Sequence, residues 1–453
     1  MKLRTKIRMT VVVVALVVVA VPYAVGRMAE RRYHQLLSAF NAQYGNAATT
    51  ERYERGMFSS QVETRIDVER LLARLAPGVP ASELGPLTSC VIRTHSTVRH
   101  GLFAYPRIAP LQPSGPIVAA SKNVTTITLP PELSREPVRL TSYTVMKLDR
   151  TVETQLVIPP GDRMVANDVM LTSSAEINGV VRCDEQLKPV LAAFAIPHVT
   201  LVSEDTRMEL RGLRGEFTTQ HDASAAPPKA TSLDITSLAV TPQDEPGVFL
   251  TNLSFAARVE HSNALHNVMY TMALDAMQVA GDTYGPITMR TAVRNIDAGA
   301  LDRLQTLAKN AQQNVASGAN PMAAMGLMMA SMPDVLTQFL QARPCIDFQD
   351  WSVATPHGTF TLRGMVAAST AAPVNAFAFL NAGSLLSLIS ADLTGALPQA
   401  FVDNVLLPQA GQVPLDFTNM LAKASATHYT AHLIFTNGLL TVNGTPVRLP
   451  GWD

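Results

Sequence analysis

A two-residue rhythm constrains this chain more than any other feature. In "YERGMFSSQVETRIDV" (residues 53–68), Phe58, Ser60, Val62, Thr64, Ile66 and Val68 fall on one side. Met57, Ser59, Gln61, Glu63, Arg65 and Asp67 fall on the other. That is the period of a strand with one dry face and one wet face. The texture returns in "SYTVMKLDRTVETQLVI" (142–158), "DTRMELRGLRGEF" (205–217) and "NLSFAARVE" (252–260). Half-wet alternation of this kind belongs to antiparallel sheets covered on one face. Runs such as "VIPPGD" and "VTPQDEPG" punctuate the strands.

A glycine device recurs with the rhythm. Gly56-Met-Phe-Ser, Gly215-Glu-Phe-Thr, Gly358-Thr-Phe-Thr and Gly438-Leu-Leu-Thr each put glycine just before an alternating segment. Glycine readily takes the positive φ of a tight turn, so each is read as a hairpin tip. Asn443-Gly444 marks one more such turn in the closing "HLIFTNGLLTVNGTPVRL". Three regions break the period. "QLKPVLAAFAI" (186–196) is read as a short helix or buried segment. Helical spacing is expected near 297–342 and again near 374–425. "HDASAAPPKA" (221–230) is read as a linker or an exposed hairpin loop.

Charged residues make up only 16% of the chain and its formal net charge is zero, which argues against a nucleic-acid partner. Aromatic residues, at 6%, are too sparse for a stacking platform. Lys2, Arg4, Lys6 and Arg8 precede the apolar run Val11 to Val25, and Met9 to Met28 has the length of a membrane span. A cleaved signal peptide and an uncleaved anchor compete here, and the anchor is favoured. Tyr33, Leu36, Leu37 and Phe40 then continue with helical spacing. Cys90, Cys183 and Cys345 form no CxxC; one disulfide with a leftover thiol and three reduced thiols both fit.

"GRMAERRYHQLLSAFN" followed by "YERGMFSSQVET", then "RHGLFAYP", then "NGLLTVNGTPV", resembles the YdgA-like family of bacterial envelope proteins of unknown function. The motif positions are Arg55, Gly56, Phe58, Ser59, His100, Gly101, Asn443 and Gly444. Leu102 stands where that family has proline. The resemblance implies a single-pass inner-membrane protein with its bulk in the periplasm, and it carries over no catalytic residue. The expected fold is α+β and mainly β: a large twisted antiparallel sheet packed around a few helices, preceded by one N-terminal transmembrane helix. The expected organisation is a cytoplasmic N-terminus over 1–8, a signal anchor over 9–28, a membrane-proximal helix over 29–50 and a β-rich domain over 51–453.

The chemistry-bearing residues are scattered. His95 and His100, like His261 and His266, are five apart and share neither a helix nor a strand face well; His428 and His432 are four apart. No HExxH, GxSxG, SxxK, Walker loop or GxGxxG is present, so no catalytic residue, metal or cofactor is assigned. His100 is read as capping a turn. Met322, Met325, Met328, Met329 and Met332 fall on one helical face, which is either core or an adaptable apolar surface for a lipid or a partner. The expected function is therefore binding or scaffolding, through an apolar groove for lipid or through a homodimer. A periplasmic hydrolase with a spatially assembled site is the alternative.

Overall fold

The computed structural model describes residues 23–42, 44–75, 88–100, 117–130, 137–166, 169–185, 188–219, 229–243, 245–262, 264–316, 332–369, 388–406, 421–423, 427–436 and 438–447. The chain divides into two compact units, Met1–Thr206 and Arg207–Asp453. Both are built mostly of strands, and every pairing given below is antiparallel.

The first unit opens with helix α1 (23–42) and continues into β1 (Ala48–Arg55), β2 (Ser59–Asp67), helix α2 (Val68–Leu75) and β3 (Val91–His100). There follow β4 (Ile117–Thr128), β5 (Val138–Lys147), β6 (Val152–Ile158), β7 (Gly161–Ala166), β8 (Val169–Ser173), β9 (Ile177–Cys183) and β10 (Pro189–Val202). Strands β1 to β6 pair in sequence as a meander. Beyond the meander, β9 pairs with β6 and β8 with β7, and β10 runs along both, its Pro189–Ala195 half against β9 and its Val199–Val202 half against β8.

The alternation read in the opening stretch sets the two faces of this sheet. Val62 and Ser60 are buried on the inner side, while Gln61 and Arg65 are exposed on the outer side. The outer face carries ion pairs between strands, Arg93 of β3 with Glu51 of β1 and His95 of β3 with Glu63 of β2. Such exposed pairs fix orientation more than they stabilise, contributing about 0–1 kcal/mol each.

The second unit holds β11 (Thr206–Thr218), β12 (Ala230–Pro242), β13 (Val248–Ser262), β14 (Leu265–Val279), β15 (Asp282–Tyr284) and β16 (Ile287–Asp297). Helix α3 (Ala298–Ala316) and helix α4 (332–341) follow. Then come β17 (Cys345–Thr355), β18 (Gly358–Ala368), β19 (Ile389–Pro398), β20 (Ala422–Lys423), β21 (His428–Thr436), β22 (Leu439–Val442) and β23 (Thr445–Val447). Strands β12–β13–β14–β16–β17–β18–β19–β21–β22–β23 form one continuous ladder. Leu253, Leu274, Ile287, Val353 and Phe360 meet across successive strands of that ladder, which gives it an apolar face. Asp297 caps α3 by accepting from the Ala300 amide at 2.7 Å, and the Gln338 side chain of α4 donates to the same oxygen at 2.7 Å.

Several expectations need correction. Among the described residues no helix is long and apolar enough to cross a membrane. Helix α1 begins at residue 23, takes in the last part of the expected span, and carries Arg27, Glu30, Arg31 and Arg32. Those charges rule out a span there, so neither the transmembrane helix nor the single-pass inner-membrane placement stands; residues 1–22 lie outside the described residues. Residues 189–196, expected to be a short helix or a buried segment, belong to strand β10, whose Pro189–Ala195 half pairs with β9. Within 374–425, the described part is strand β19, a short helical turn at Gln399–Leu406 and strand β20. Of the glycine tips, Gly358 (φ 120°) and Gly438 (φ 78°) do occupy the left-handed region at hairpins, whereas Gly215 lies inside β11.

Helix α1 meets the sheet most closely at Gly26. A Cβ there would lie 2.7 Å from His100 Cε1, and His100 is itself only 1% exposed. Replacing Gly26 by Val is therefore expected to destabilise the first unit by about 1–3 kcal/mol through overpacking. Urea unfolding followed by hydrogen exchange across residues 23–42 measures this.

Candidate functional site

The inner face of the first sheet is laid out in rows, because antiparallel register sets equivalent positions opposite one another. One row is apolar: Ala48, Ile66, Ile92 and Ile127. The next is threonine throughout, with Thr50 opposite Thr64, Thr64 opposite Thr94 and Thr94 opposite Thr125. Beyond it Ser96 faces Asn123, which faces Ser142; Ser121 faces Thr144, which faces Thr154. A second mostly apolar row follows, His100, Ala119, Met146 and Val152. The face is thus a hydroxyl belt between two mainly apolar margins.

The belt is knitted internally. Thr94 and Thr125 hydroxyls are 2.9 Å apart, and those of Thr144 and Thr154 are 3.0 Å apart. Asn123 donates through Nδ2 to Ser142 at 3.1 Å and to Thr144 at 3.3 Å. Such pairing lets polar groups be half-buried without the desolvation cost of a lost partner.

Helix α1 lies over this floor. The Tyr33 hydroxyl reaches Thr50 at 2.7 Å and Thr64 at 2.8 Å. At the start of the helix Glu30 pairs with Arg55 at 2.6 Å, and the Arg55 guanidinium sits 5.1 Å from the Tyr23 ring centroid. Near its end Asn41 both donates to the Ala48 carbonyl and accepts from the Ala48 amide, each at 2.8 Å. Gly26 rests on the His100 ring, whose Nε2 is 3.3 Å from Ser60 Oγ.

Between roof and floor remains a groove of about 420 Å³. The helix contributes Ala29, Arg32, Tyr33, Leu36, Leu37 and Phe40; the sheet contributes apolar Val62, Ile66 and Met146 together with Thr64, Ser96, Asn123 and Thr144. Leu36 keeps 43% of its surface exposed, so the groove is open along its helical rim. The volume falls in the range of roughly 300–1,000 Å³ that small-molecule sites occupy.

The motif residues take structural places in their own units. Gly56 donates from its amide to the Ser59 carbonyl at 2.7 Å, closing the β1–β2 turn, and Phe58 accepts from the His100 amide at 3.0 Å. His100 is buried at the end of β3. Gly101 lies outside the described residues. Asn443 (φ 49°) and Gly444 (φ 80°) form the β22–β23 turn in the second unit, where the Asn443 side chain accepts from the His432 amide and donates to the Thr430 carbonyl. The expected methionine surface lies outside the described residues at Met322, Met325, Met328 and Met329; Met332 is half-buried at the start of α4.

The chain belongs to the family described as "Bacterial protein of unknown function (DUF945)", which matches residues 1–450. No curated protein and no solved structure matches this DUF945 chain.

Other chemistry-bearing groups fall outside the groove. Cys90, Cys183 and Cys345 are unbridged; burial pushes the Cys90 thiol pKa up, and burial plus Asp184 does the same for Cys183. Among the described residues no three metal-capable side chains converge. An exposed Ser174 Oγ lies 2.6 Å from His198 Nδ1, and His432 pairs with Asp392 at 2.8 Å. His261 and His266, badly spaced for one strand face, meet across the β13–β14 hairpin with Nδ1 atoms 2.7 Å apart. No single-strand period could have shown that pair; a hairpin register could.

Two predictions come from these contacts. Tyr33→Phe, which removes two hydroxyl contacts, should weaken helix docking by about 1–2 kcal/mol, read as faster amide exchange in residues 23–42. In the second unit, burial first and His261 next hold the His266 pKa below its ordinary value of 6.5, against the opposing pull of Asp302 and Asp297. A depressed histidine favours the neutral form in the folded state. Its contribution is full above the ordinary pKa and is lost as pH falls through and below it. The unfolding temperature should drop below about pH 6.5, less so in His266→Gln.

Proposed function

We propose that this protein acts by binding, and that the groove beneath helix α1 receives an amphipathic small molecule. The carrying observation is the groove's lining, in which a self-satisfied belt of hydroxyl and amide groups runs between apolar margins under a roof of Leu36, Leu37 and Phe40. An apolar chain gains by leaving water against the margins and the helix. A polar segment of the same molecule finds donors and acceptors on the belt without stranding any of them.

The same geometry favours binding over hydrolysis. Ser60 and His100 are in contact, yet each is only 1% exposed and Gly26 packs onto the imidazole. A substrate carbonyl has no approach to that serine. The serine–histidine contact therefore serves to seat the helix. The likeness of the helix, turn and hairpin motifs to YdgA-like proteins is part of the same proposal.

Titration of the intact protein with Nile red tests this reading. Saturable fluorescence enhancement is expected in the native chain. Ser96→Phe, which fills the floor, should reduce it at least about tenfold while the unfolding temperature is retained. Absence of saturable binding, or equal binding by Ser96→Phe, would overturn the proposal.

A further inference from the structure

We infer that the groove selects a single-chain amphipath with an anionic head, a long-chain carboxylate, seated on Arg32. The inference rests on the binding reading above and adds the sign and place of the head group. Arg32 is the one charged residue of the lining, in a groove otherwise apolar, hydroxyl or amide. Its guanidinium donates through Nη1 to Gln35 Oε1 at 3.1 Å and through Nη2 to the backbone carbonyl of Glu185. Both acceptors are neutral. Glu185 offers its main-chain oxygen to Arg32, and among the described residues no carboxylate pairs with this arginine, whereas Arg55 of β1 has Glu30.

A half-buried cation held by neutral oxygens keeps its full charge beside apolar surface, a costly arrangement unless an anion completes it. The guanidinium fork has five N–H donors, more than its two contacts use, and its planar geometry matches a carboxylate. From Arg32 the helix presents Leu36, Leu37 and Phe40 to the same cavity. At 1.5 Å rise per residue, Phe40 lies about 12 Å along the axis from Arg32. A head at Arg32 thus leaves an extended apolar track for a medium-length chain, with Thr144 and Asn123 elsewhere on the floor of the same groove.

The test is displacement of Nile red from the full chain by dodecanoate, dodecanol and dodecyltrimethylammonium, which share a chain and differ in head. Dodecanoate should displace at about tenfold or more lower concentration than dodecanol, and the cation should be weakest. Arg32→Gln should bring dodecanoate to the level of dodecanol and leave dodecanol unchanged. Arg32→Lys, which keeps the charge and loses the fork, should fall between. Equal displacement by dodecanoate and dodecanol in the native chain, or an Arg32→Gln loss shared by both, would overturn the inference while leaving the binding site itself intact. Failure of all three to displace bound dye would overturn it as well, and failure of the dye to bind would instead remove the underlying reading. Should Arg32→Gln not fold, the native chain still decides: dodecanoate affinity should weaken with added salt while dodecanol affinity does not.

Discussion

The first unit depends on the seating of one helix across the inner face of its sheet. Without α1 the rows from Ala48 to Val152 would face water, forfeiting roughly 25 cal/mol for each Å² of apolar surface left uncovered. Gly26 makes the seat possible by letting the helix backbone come against the His100 ring, where any larger residue would collide. Glu30, Tyr33 and Asn41 then fasten the helix at successive turns to Arg55, to the threonine row and to Ala48. The spacing of these residues is that of one helical face.

The same fastening explains why a cavity persists. Polar anchors hold the helix at its start, its middle and its end, and the side chains between them are too few to fill the gap above the belt. Apart from Thr50 and Thr64, which bond to Tyr33, the belt side chains bond to one another across strands. A roof held by its anchors over a satisfied floor leaves open space without stranded donors. That is the physical basis for reading the gap as a site.

Motifs that looked chemical by their residue types turn out to be joints. Arg55, Gly56, Phe58 and His100 come from separate segments and meet where α1, the β1–β2 turn and the end of β3 touch. Asn443 performs a similar service in the second unit, tying its turn to the backbone of β21. The chemistry must be sought in what the joints enclose.

Strand faces were legible in the sequence wherever one face is wet, as in Val62 against Gln61, because a pleated backbone sends alternate side chains to opposite sides. The reading failed where that contrast vanished. "LKPVLAAFAI" is apolar almost throughout, and an unbroken apolar run looks the same in the strand β10 as in a helix. It failed too at the N-terminus, where hydropathy was extended across Arg27 into what is a charged helix lying on a sheet. The groove itself was invisible: Leu36, Leu37 and Phe40 were seen as one helical face, and Thr64, Thr94 and Asn123 as ordinary strand residues. Local periodicity determined which side each residue takes within its own element. Only the tertiary structure decided that Gly26 would lie on His100 and Arg32 over the hydroxyl belt, because contacts between distant segments depend on register and packing that no local period encodes.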